Sequence, residues 1–416
     1  MSKTQKVKLS DYYRVLLSET APFDVPLIFS NNHFYSRMRS YKDSEPEVKL
    51  LIERIFTRTI DTSYCPIKYP ILKGEDSCRY LSLLHPASQL HIVELYKKYS
   101  DRLLHHCSVG SFSIRRPKKV ASTVSVKSSI SDSRAFRSDA ASTVSDEKKF
   151  KHSTSYFSYS PHTKLHQFFG SPEYFKLESK FTHFWSIDIS KCFDSIYTHS
   201  ITWAVKGKKF SKTTSSDTDF TNILDRIMQS SNYNETNGIV IGNEFSRIFA
   251  EIILQDVDEK VENLASSEGL TAGKDYEIKR YVDDYFIFCS SEGLARKIVA
   301  ILEECLRAYK FHLNTSKTKK RSRPLITGIT RAKIKTDEAI KEIFQIIFSI
   351  EDSEKFITKS LIRDPNAVSR KFLNLIMNAS YEDSEAYLTM CGYVISSIFN
   401  ALKTLNYRED DEDSEH

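Results

Sequence analysis

The sequence feature that most constrains the fold is the stretch RYVDDYFIFC, residues 280–289, in which two adjacent acids interrupt an otherwise strand-forming run. Tyr, Val, Phe and Ile favour a pleated, half-buried strand, whereas Asp is depleted there. The pattern therefore predicts a β-hairpin with Asp283 and Asp284 at its tip. An isolated Asp pair between apolar runs is most often an ordinary turn, but this pair is not isolated.

A second apolar run broken by acid lies upstream, in FWSIDISKCFD, residues 184–194, where Asp188 ends the apolar part. Two such strands can lie side by side in one sheet. Magnesium takes hard oxygen ligands and binds one or two carboxylates together with substrate phosphates. Asp188, Asp283 and Asp284 would then hold two ions roughly 3.5–4 Å apart, which clamp the attacking and leaving oxygens of a phosphoryl displacement. The acids therefore indicate nucleotidyl-transfer chemistry.

The order of three motifs resembles that of reverse transcriptases. DISKCFD, the turn and helix NGIVIGNEFSR, and YVDD correspond to motifs A, B and C of that family. The resemblance spans about residues 11–320. More narrowly, the segments IYTHSITWAVKGK, PILKGEDSCRYLSLLHP and SFSIRRP resemble bacterial defence-associated reverse transcriptases, the group that includes abortive-infection enzymes.

The resemblance implies an α+β right-hand polymerase with fingers, a palm built on an antiparallel sheet with flanking helices, and a short helical thumb. The expected domains are N-terminal helices and fingers over residues 1–180 with a Ser-rich basic insertion over about 121–160, a palm over 181–335, a thumb over 336–408 and an acidic tail over 409–416. Helical periodicity from Asp337 onward, including EAIKEIFQIIFSI, supports the thumb.

The resemblance also assigns the catalytic centre. The expected metal site consists of Asp188, Ile189, Asp283 and Asp284 and binds two Mg²⁺ ions, with Mn²⁺ as an alternative. Lys317, in HLNTSKTK, matches motif D, whose lysine approaches the triphosphate and can protonate the departing pyrophosphate.

Three further residues are expected to bind the incoming nucleotide. In KYPILKGEDSCRYLSL, an extended run carries Lys73, turns and returns through Arg79, so both cations can face a triphosphate. The residues alone fit a solvated basic turn equally well. Phe193 lies where the family places an aromatic ring against the sugar 2′ position, which favours deoxynucleotides, although a core role fits the same residue.

Motif B departs from the family pattern GxPQGxxxSP. Gly242 and Ser246 match it, whereas Ile241 stands for Gln and Arg247 for Pro, which puts ordinary template handling in doubt. Arg115, in the basic run SFSIRRPKK, is a further candidate for substrate binding.

Charge and composition favour a phosphate-rich partner. The formal net charge is +6, and residues 408–416 contribute −5, so the preceding body carries +11. The expected partners are an RNA template or non-coding RNA, the DNA product, deoxynucleoside triphosphates, and a second defence protein or another copy of the chain. The seven cysteines form no CxxC pair, and no run is long and apolar enough for a membrane span or signal peptide, so a cytoplasmic protein without membrane contact is expected.

Two other functions fit the same residues. One is template-independent or protein-primed DNA synthesis, for which the Tyr and Ser residues supply hydroxyls without singling one out. The other is a non-catalytic nucleic-acid-binding subunit of a defence complex. The intact acids argue against the second, because carboxylates in an apolar strand carry a desolvation cost that a decayed site has no reason to keep.

Overall fold

The computed structural model describes residues 3–26, 28–56, 59–72, 77–126, 155–213, 219–323, 328–351, 355–358, 364–381, 394–395 and 398–399. The chain divides into two compact units, Met1–Ser322 and Arg323–His416. Both units contain helices and antiparallel strand pairs, which confirms the α+β class. The domain boundaries expected from the sequence stay a prediction.

The described part of the first unit contains helices α1 (Val15–Ser18), α2 (Asn32–Arg39), α3 (Pro46–Phe56), α4 (Pro86–His106), α5 (Leu165–Phe169), α6 (Pro172–Lys180), α7 (Cys192–Ser195), α8 (Ser200–Lys206), α9 (Lys208–Thr213), α10 (Phe220–Ser230), α11 (Glu244–Ser267) and α12 (Glu292–Arg307). Its strands are β1 (Lys3–Lys6), β2 (Ile67–Leu72), β3 (Cys78–Leu83), β4 (Arg115–Val120), β5 (Thr123–Val126), β6 (Phe157–Pro161), β7 (His183–Asp188), β8 (Tyr276–Tyr281), β9 (Asp284–Cys289) and β10 (Lys319–Ser322). Short 3-10 turns cover Tyr12–Arg14, Tyr41–Asp43 and Thr315–Lys317.

The four-stranded antiparallel sheet at the centre of this unit has the order β10-β7-β9-β8. Strands β8 and β9 form the predicted hairpin, with Asp283 in its turn and Asp284 at the start of β9. Strand β7 lies beside β9, as expected from the two acid-interrupted runs. The period-2 alternation of a strand then decides which side chains reach which face of the sheet.

The two faces of β9 pack against different layers. Phe286 and Phe288 contact aromatic residues of α5 and α6, including Phe169 and Tyr174. Tyr285 faces the other way and donates a hydrogen bond to the Asp258 carboxylate on α11. Because both faces are covered by apolar groups, the hairpin is anchored in the core and its turn is held at one end of the strands.

Helix α11 is the longest helix of the described chain and forms much of that core. The side chain of Asn243 caps it by accepting a hydrogen bond from the Ser246 backbone amide at 2.8 Å. The turn before the cap requires glycine, since Gly242 has φ +122°, a region that residues with a Cβ rarely adopt. The predicted turn and helix are thus confirmed.

Strands β2 and β3 form an antiparallel hairpin in which Leu72 lies opposite Cys78, as the sequence predicted. The hairpin is joined to the turn before α11, because the Ser82 amide donates to the Ile241 carbonyl at 3.0 Å. This contact joins the hairpin of β2 and β3 to the turn of the predicted motif B.

The second unit contains α13 (Gly328–Ile347), β11 (Phe348–Glu351), β12 (Lys355–Thr358) and α14 (Pro365–Ser380) among its described residues. The helix predicted over EAIKEIFQIIFSI ends at Ile347. The remaining residues of that segment belong to β11, which pairs with β12 in antiparallel orientation. Aromatic and β-branched residues that alternate with polar ones favour a strand there. Across the described residues, no helix is long and apolar enough to cross a membrane. Most of the predicted Ser-rich insertion, residues 127–154, and the acidic tail lie outside the described residues.

Candidate active site

The register of the central sheet brings the three predicted catalytic acids together. Asp188, the last residue of β7, lies directly opposite Asp284, the first residue of β9. Asp283 is in the adjoining turn, and its carbonyl accepts a hydrogen bond from the Ile189 amide at 3.3 Å. The turn is tight, because Val282 has φ +58°, which is unfavourable for a β-branched residue.

The pKa values of Asp283 and Asp284 are raised because both acids are partly removed from water and lie near other carboxylates. Burial, followed by the charges of Asp283 and Asp188, raises the pKa of Asp284 to about 7. Burial also raises the pKa of Asp283, and the charge of Asp188 adds to the effect. Ionised carboxylates at this place therefore lack sufficient countercharge from the protein itself.

Asp188 has side-chain partners, which the described residues do not provide for Asp283 or Asp284. The Lys317 ammonium lies 2.8 Å from Asp188 Oδ2, and this hydrogen bond raises the lysine pKa. Asn314 Nδ2 lies 3.4 Å from the same oxygen, and the Asn314 amide donates to the Asp188 carbonyl at 2.8 Å. The turn that carries Lys317 is thus bonded to the end of β7.

The donor chemistry of this site fits a divalent cation, although the acids do not enclose one. Within the part of the chain that the structure describes, no three His, Cys, Asp or Glu side chains converge closely enough to form a complete metal site. Carboxylate oxygens are the ligands that hard divalent ions prefer, and such ions often complete their shell with water and substrate phosphates. The unrelieved repulsion at Asp283 and Asp284 is a further reason for a cation to bind there.

The predicted nucleotide-binding residues lie in three different environments. Lys73 lies outside the described residues. Arg79, on β3, is exposed, and its charge lowers the pKa of Asp283, so the hairpin and the acids are within electrostatic reach. Phe193, on α7, is only 9% exposed and belongs to the main hydrophobic core, while its carbonyl accepts a hydrogen bond from the Ile239 amide at 3.0 Å.

Gly242, Ser246 and Arg115 have structural contacts that the sequence did not reveal. A Cβ on Gly242 would lie 3.1 Å from the Pro22 side chain, so the glycine permits close packing. Ser246 is fully buried beneath the start of α11. Arg115 is engaged with Glu244 at 2.7 Å and has its guanidinium over the Tyr159 ring. Their substrate-binding roles stay predictions.

Sequence reasoning missed Asn314 and the partners of Arg280. Arg280 is fully buried, with Nη1 2.8 Å from Glu251 and Nη2 2.7 Å from Asp258, and it also donates to the Val282 carbonyl at 3.0 Å. Burial would lower the pKa of Arg280, but the charges of Asp258 and Glu251 raise it well above its usual value. The arginine therefore fixes the turn that carries the predicted catalytic acids.

Comparisons with known proteins agree with the motif order. The sequence profile described as "Reverse transcriptase (RNA-dependent DNA polymerase)" matches residues 124–371, more than half of the chain. No curated protein matches significantly.

Among solved structures, telomerase of Candida albicans with a TWJ fragment of telomeric RNA aligns at 11% identity and TM-score 0.34, over 84% of this chain and 57% of the telomerase. The Candida tropicalis telomerase with the corresponding RNA fragment aligns at 11% identity and TM-score 0.36, over 86% and 59%. The apo Candida tropicalis telomerase aligns at 11% identity and TM-score 0.32, over 96% and 76%. The chain thus spans less than two thirds of the two RNA-bound telomerases.

Proposed function

Because the chain belongs to the reverse transcriptase family, we propose that it joins deoxynucleoside triphosphates into DNA along an RNA template. The observation that carries the proposal is the pairing of Asp188 with Asp284 on neighbouring strands, with Asp283 in the turn between β8 and β9. Directly opposite residues of an antiparallel pair have Cβ atoms roughly 4.5–5.5 Å apart. That spacing allows the carboxylates to share ligands.

The three acids would hold the ions, and the main chain of Ile189 would complete the ligand set, since its apolar side chain is buried. Two Mg²⁺ ions, or Mn²⁺ in their place, would supply activation of the primer hydroxyl and stabilisation of the departing pyrophosphate. The tight turn at Val282 keeps Asp283 and Asp284 in place.

Lys317 performs two tasks in this proposal. Without substrate, its ammonium neutralises Asp188, from which it lies 2.8 Å away. With substrate bound, the same side chain can turn to the triphosphate, because 56% of it is exposed, and give a proton to the leaving pyrophosphate oxygen. Asn314 keeps the lysine turn beside Asp188 in both states.

The hairpin of β2 and β3 supplies positive charge to the triphosphate. Arg79 can bind phosphate oxygens bidentately, and Lys73 adds a point charge. Phe193 limits the space at the sugar 2′ position, which favours deoxynucleotides over ribonucleotides. Each of these roles follows from the reverse transcriptase motifs, and the electrostatic reach of Arg79 to Asp283 supports the first.

The biological setting we propose is antiphage defence in the bacterial cytoplasm. The segments IYTHSITWAVKGK and SFSIRRP support it, because they resemble defence-associated reverse transcriptases. In that setting the template is a non-coding RNA or another RNA, and the partner is a second defence protein or another copy of the chain. The basic body of the chain supports an RNA partner.

Primer extension on a defined heteropolymeric RNA tests the proposed activity. Purified protein receives a DNA primer, deoxynucleotides and either Mg²⁺ or Mn²⁺, with parallel reactions on a DNA template and without template. We expect sequenced products complementary to the RNA. Glu303→Gln, at an exposed acid of α12, is the matched control and should extend as the wild type does.

Each other outcome points to a different function. Products without complementarity would indicate template-independent synthesis, and label that remains attached to the denatured protein would indicate protein priming. If the wild type binds RNA but incorporates nothing under any condition, the chain is a non-catalytic binding subunit and the proposal is wrong.

A further inference from the structure

Phe23 is a large aromatic residue that stays on the surface in the loop between α1 and α2. Its side chain is 58% exposed, and the Arg247 guanidinium lies 5.6 Å from its ring centroid. A single exposed apolar side chain needs no functional explanation. Here, however, the ring is joined to a planar cation, and both groups are fixed by other parts of the protein.

The backbone beside Phe23 is held on two sides. The Phe23 amide donates to the Gly242 carbonyl at 3.3 Å, in the turn before α11. The Tyr69 hydroxyl, on β2, donates to the carbonyl of Asp24. Because Gly242 has no Cβ, Pro22 packs directly against it, and any other residue there would lie 3.1 Å from the Pro22 side chain. The aromatic ring is therefore presented from a defined position.

Arg247 is fixed by an ion pair within its own helix. Its Nη1 lies 2.9 Å from Glu244 Oε2, while the other oxygen of Glu244 binds Arg115 at 2.7 Å. The Arg247 side chain nevertheless keeps 31% of its surface exposed. A guanidinium held in this way loses little further conformational entropy when a flat ligand stacks on it.

Phe23 also lies close to the position assigned to the nucleotide sugar. The turn before α11 begins at Ile239, whose amide binds the Phe193 carbonyl, and reaches Gly242, whose carbonyl binds Phe23. Three residues span at most ~10 Å of extended chain. The exposed ring is therefore only a few nucleotide lengths from Phe193.

We propose that Phe23 and Arg247 form a stacking platform for an unpaired base of the template strand, a few nucleotides from the site of synthesis. Aromatic rings and guanidinium planes both stack on bases without regard to sequence, which suits a polymerase that must copy any template. The platform also supplies a contact in a motif where Ile241 and Arg247 replace the family's Gln and Pro. This inference rests on the proposed function.

Equilibrium binding of a primer–template with a single-stranded RNA overhang tests the platform without requiring catalysis. The overhang carries one abasic nucleotide, which is moved through its first six positions. We expect Phe23→Ala to weaken binding about 5- to 150-fold, the range that stacking of one base on an aromatic residue gives. One abasic position should weaken binding similarly, and Phe23→Ala should cause no further loss with that substrate.

Phe175→Ala is the matched control, because Phe175 on α6 has the same 58% exposure and is remote in sequence from the turn before α11. Phe175→Ala should bind as the wild type does. Phe23→Trp should keep the affinity that Phe23→Ala loses. A DNA overhang in a parallel series shows whether the platform accepts either backbone, as stacking predicts. Circular dichroism and melting curves establish that each variant is folded.

The result that overturns the platform is additivity: Phe23→Ala and every abasic position weakening binding independently, or Phe23→Ala binding as the wild type does. Failure of the proposed function is a separate outcome. If the wild type binds the overhang through Phe23 but never extends the primer, the platform stands and the polymerase activity does not.

Discussion

Two groups of carboxylates contact the same hairpin, and they differ in how their charge is balanced. Glu251 and Asp258 lie around the buried Arg280, which donates to both, and Tyr285 donates a further hydrogen bond to Asp258. Among the described residues, neither Asp283 nor Asp284 forms a salt bridge, and the charge of Lys317 only partly opposes the rise in their pKa values.

The difference separates acids that are paired within the protein from acids for which we propose a ligand. A buried carboxylate that is paired and hydrogen-bonded within the protein stabilises one arrangement, whereas an unpaired one is retained at a cost. That cost is explained if a ligand removes the repulsion when it binds. The two groups are also connected, because Arg280 donates to the Val282 carbonyl in the turn that carries Asp283. The paired group therefore holds the unpaired one in place.

The largest effect should follow from neutralising an unpaired acid. Asp284→Asn should reduce primer extension by at least ~10³-fold, because a metal clamp that loses a ligand forfeits several kcal/mol of transition-state stabilisation. The melting temperature should stay the same or rise, since the variant removes repulsion from Asp283 and Asp188. Extension rates and thermal melting of the same preparation test both parts.

Two outcomes would contradict this prediction: Asp284→Asn unfolds the protein, or it extends primers at the wild-type rate. In the first case Asp284 is a structural acid like Asp258. In the second it does not bind a catalytic ion.

Removing the cation from the paired group should have the opposite profile. Arg280→Met should lower the free energy of unfolding by about 3–5 kcal/mol, because it leaves Glu251 and Asp258 buried without a countercharge. Urea unfolding measures this loss. Arg296→Met is the matched control, since its ion pair with Glu292 is exposed and should contribute little to stability.

Equal stability of the Arg280→Met and Arg296→Met variants would show that the buried group is not structural. Arg280→Lys separates charge from geometry. It keeps a cation, but its three donors lie on one nitrogen and cannot reproduce the hydrogen bonds that the planar guanidinium makes to both acids and to Val282, so extension should fall even where the protein stays folded.

The sequence predicted the elements of the unpaired group but not the paired one. Alternating apolar residues and an Asp pair are local signals, and they indicated the hairpin and its turn correctly. The contacts of Arg280 join residues distant in sequence, so no local pattern reveals them. The sequence does contain a partial signal. Arg280 lies on the same face of β8 as the buried Tyr276 and Ile278. Glu251 and Asp258 are two helical turns apart on α11 and so share a face of that helix. Because arginine is charged and usually exposed, the residue type gave no reason to expect that Arg280 is buried.

Phe193 should give a smaller effect, since a role in sugar selection is predicted for it although its ring belongs to the core. Phe193→Ala should increase use of ribonucleotides relative to deoxynucleotides on the order of tenfold, because a methyl group leaves room for a 2′-hydroxyl. It should also cost about 3–5 kcal/mol of stability, since the ring is buried. Competition between paired nucleotides on folded protein measures the ratio.

Phe193→Val is a milder variant that keeps the protein folded if the Ala variant does not. A selectivity ratio that is unchanged in both variants, with equal loss of the two activities, would leave Phe193 as a core residue only.

Glu19 is a third kind of buried carboxylate, which receives hydrogen bonds but forms no salt bridge among the described residues. Ser155 Oγ and the Tyr156 amide donate to it at 2.6 and 2.7 Å, and the Tyr96 hydroxyl donates at 3.1 Å. Burial, followed by the charge of Glu244, raises its pKa to about 7, and these hydrogen bonds only partly oppose the shift. Burial outweighs the neutral donors at Glu19, just as it outweighs Arg280 at Asp258, whose pKa it raises to about 6.

The smallest effect should therefore be a pH dependence that Glu19 adds to stability. Between the unfolded pKa near 4.5 and the folded pKa of about 7, the folded protein holds a proton that the unfolded chain has released. The free energy of unfolding should consequently fall as the pH rises through this range, by up to about 3 kcal/mol at ~1.4 kcal/mol per pKa unit. Glu19→Gln cannot release that proton, so the difference in stability between wild type and Glu19→Gln should shift in favour of the variant from pH 5 to pH 8. Urea unfolding at both pH values measures it, with Glu94→Gln, at an exposed acid of α4, as the control. Parallel pH profiles for the wild type and Glu19→Gln would mean that Glu19 binds no extra proton in the folded protein, which would contradict the prediction.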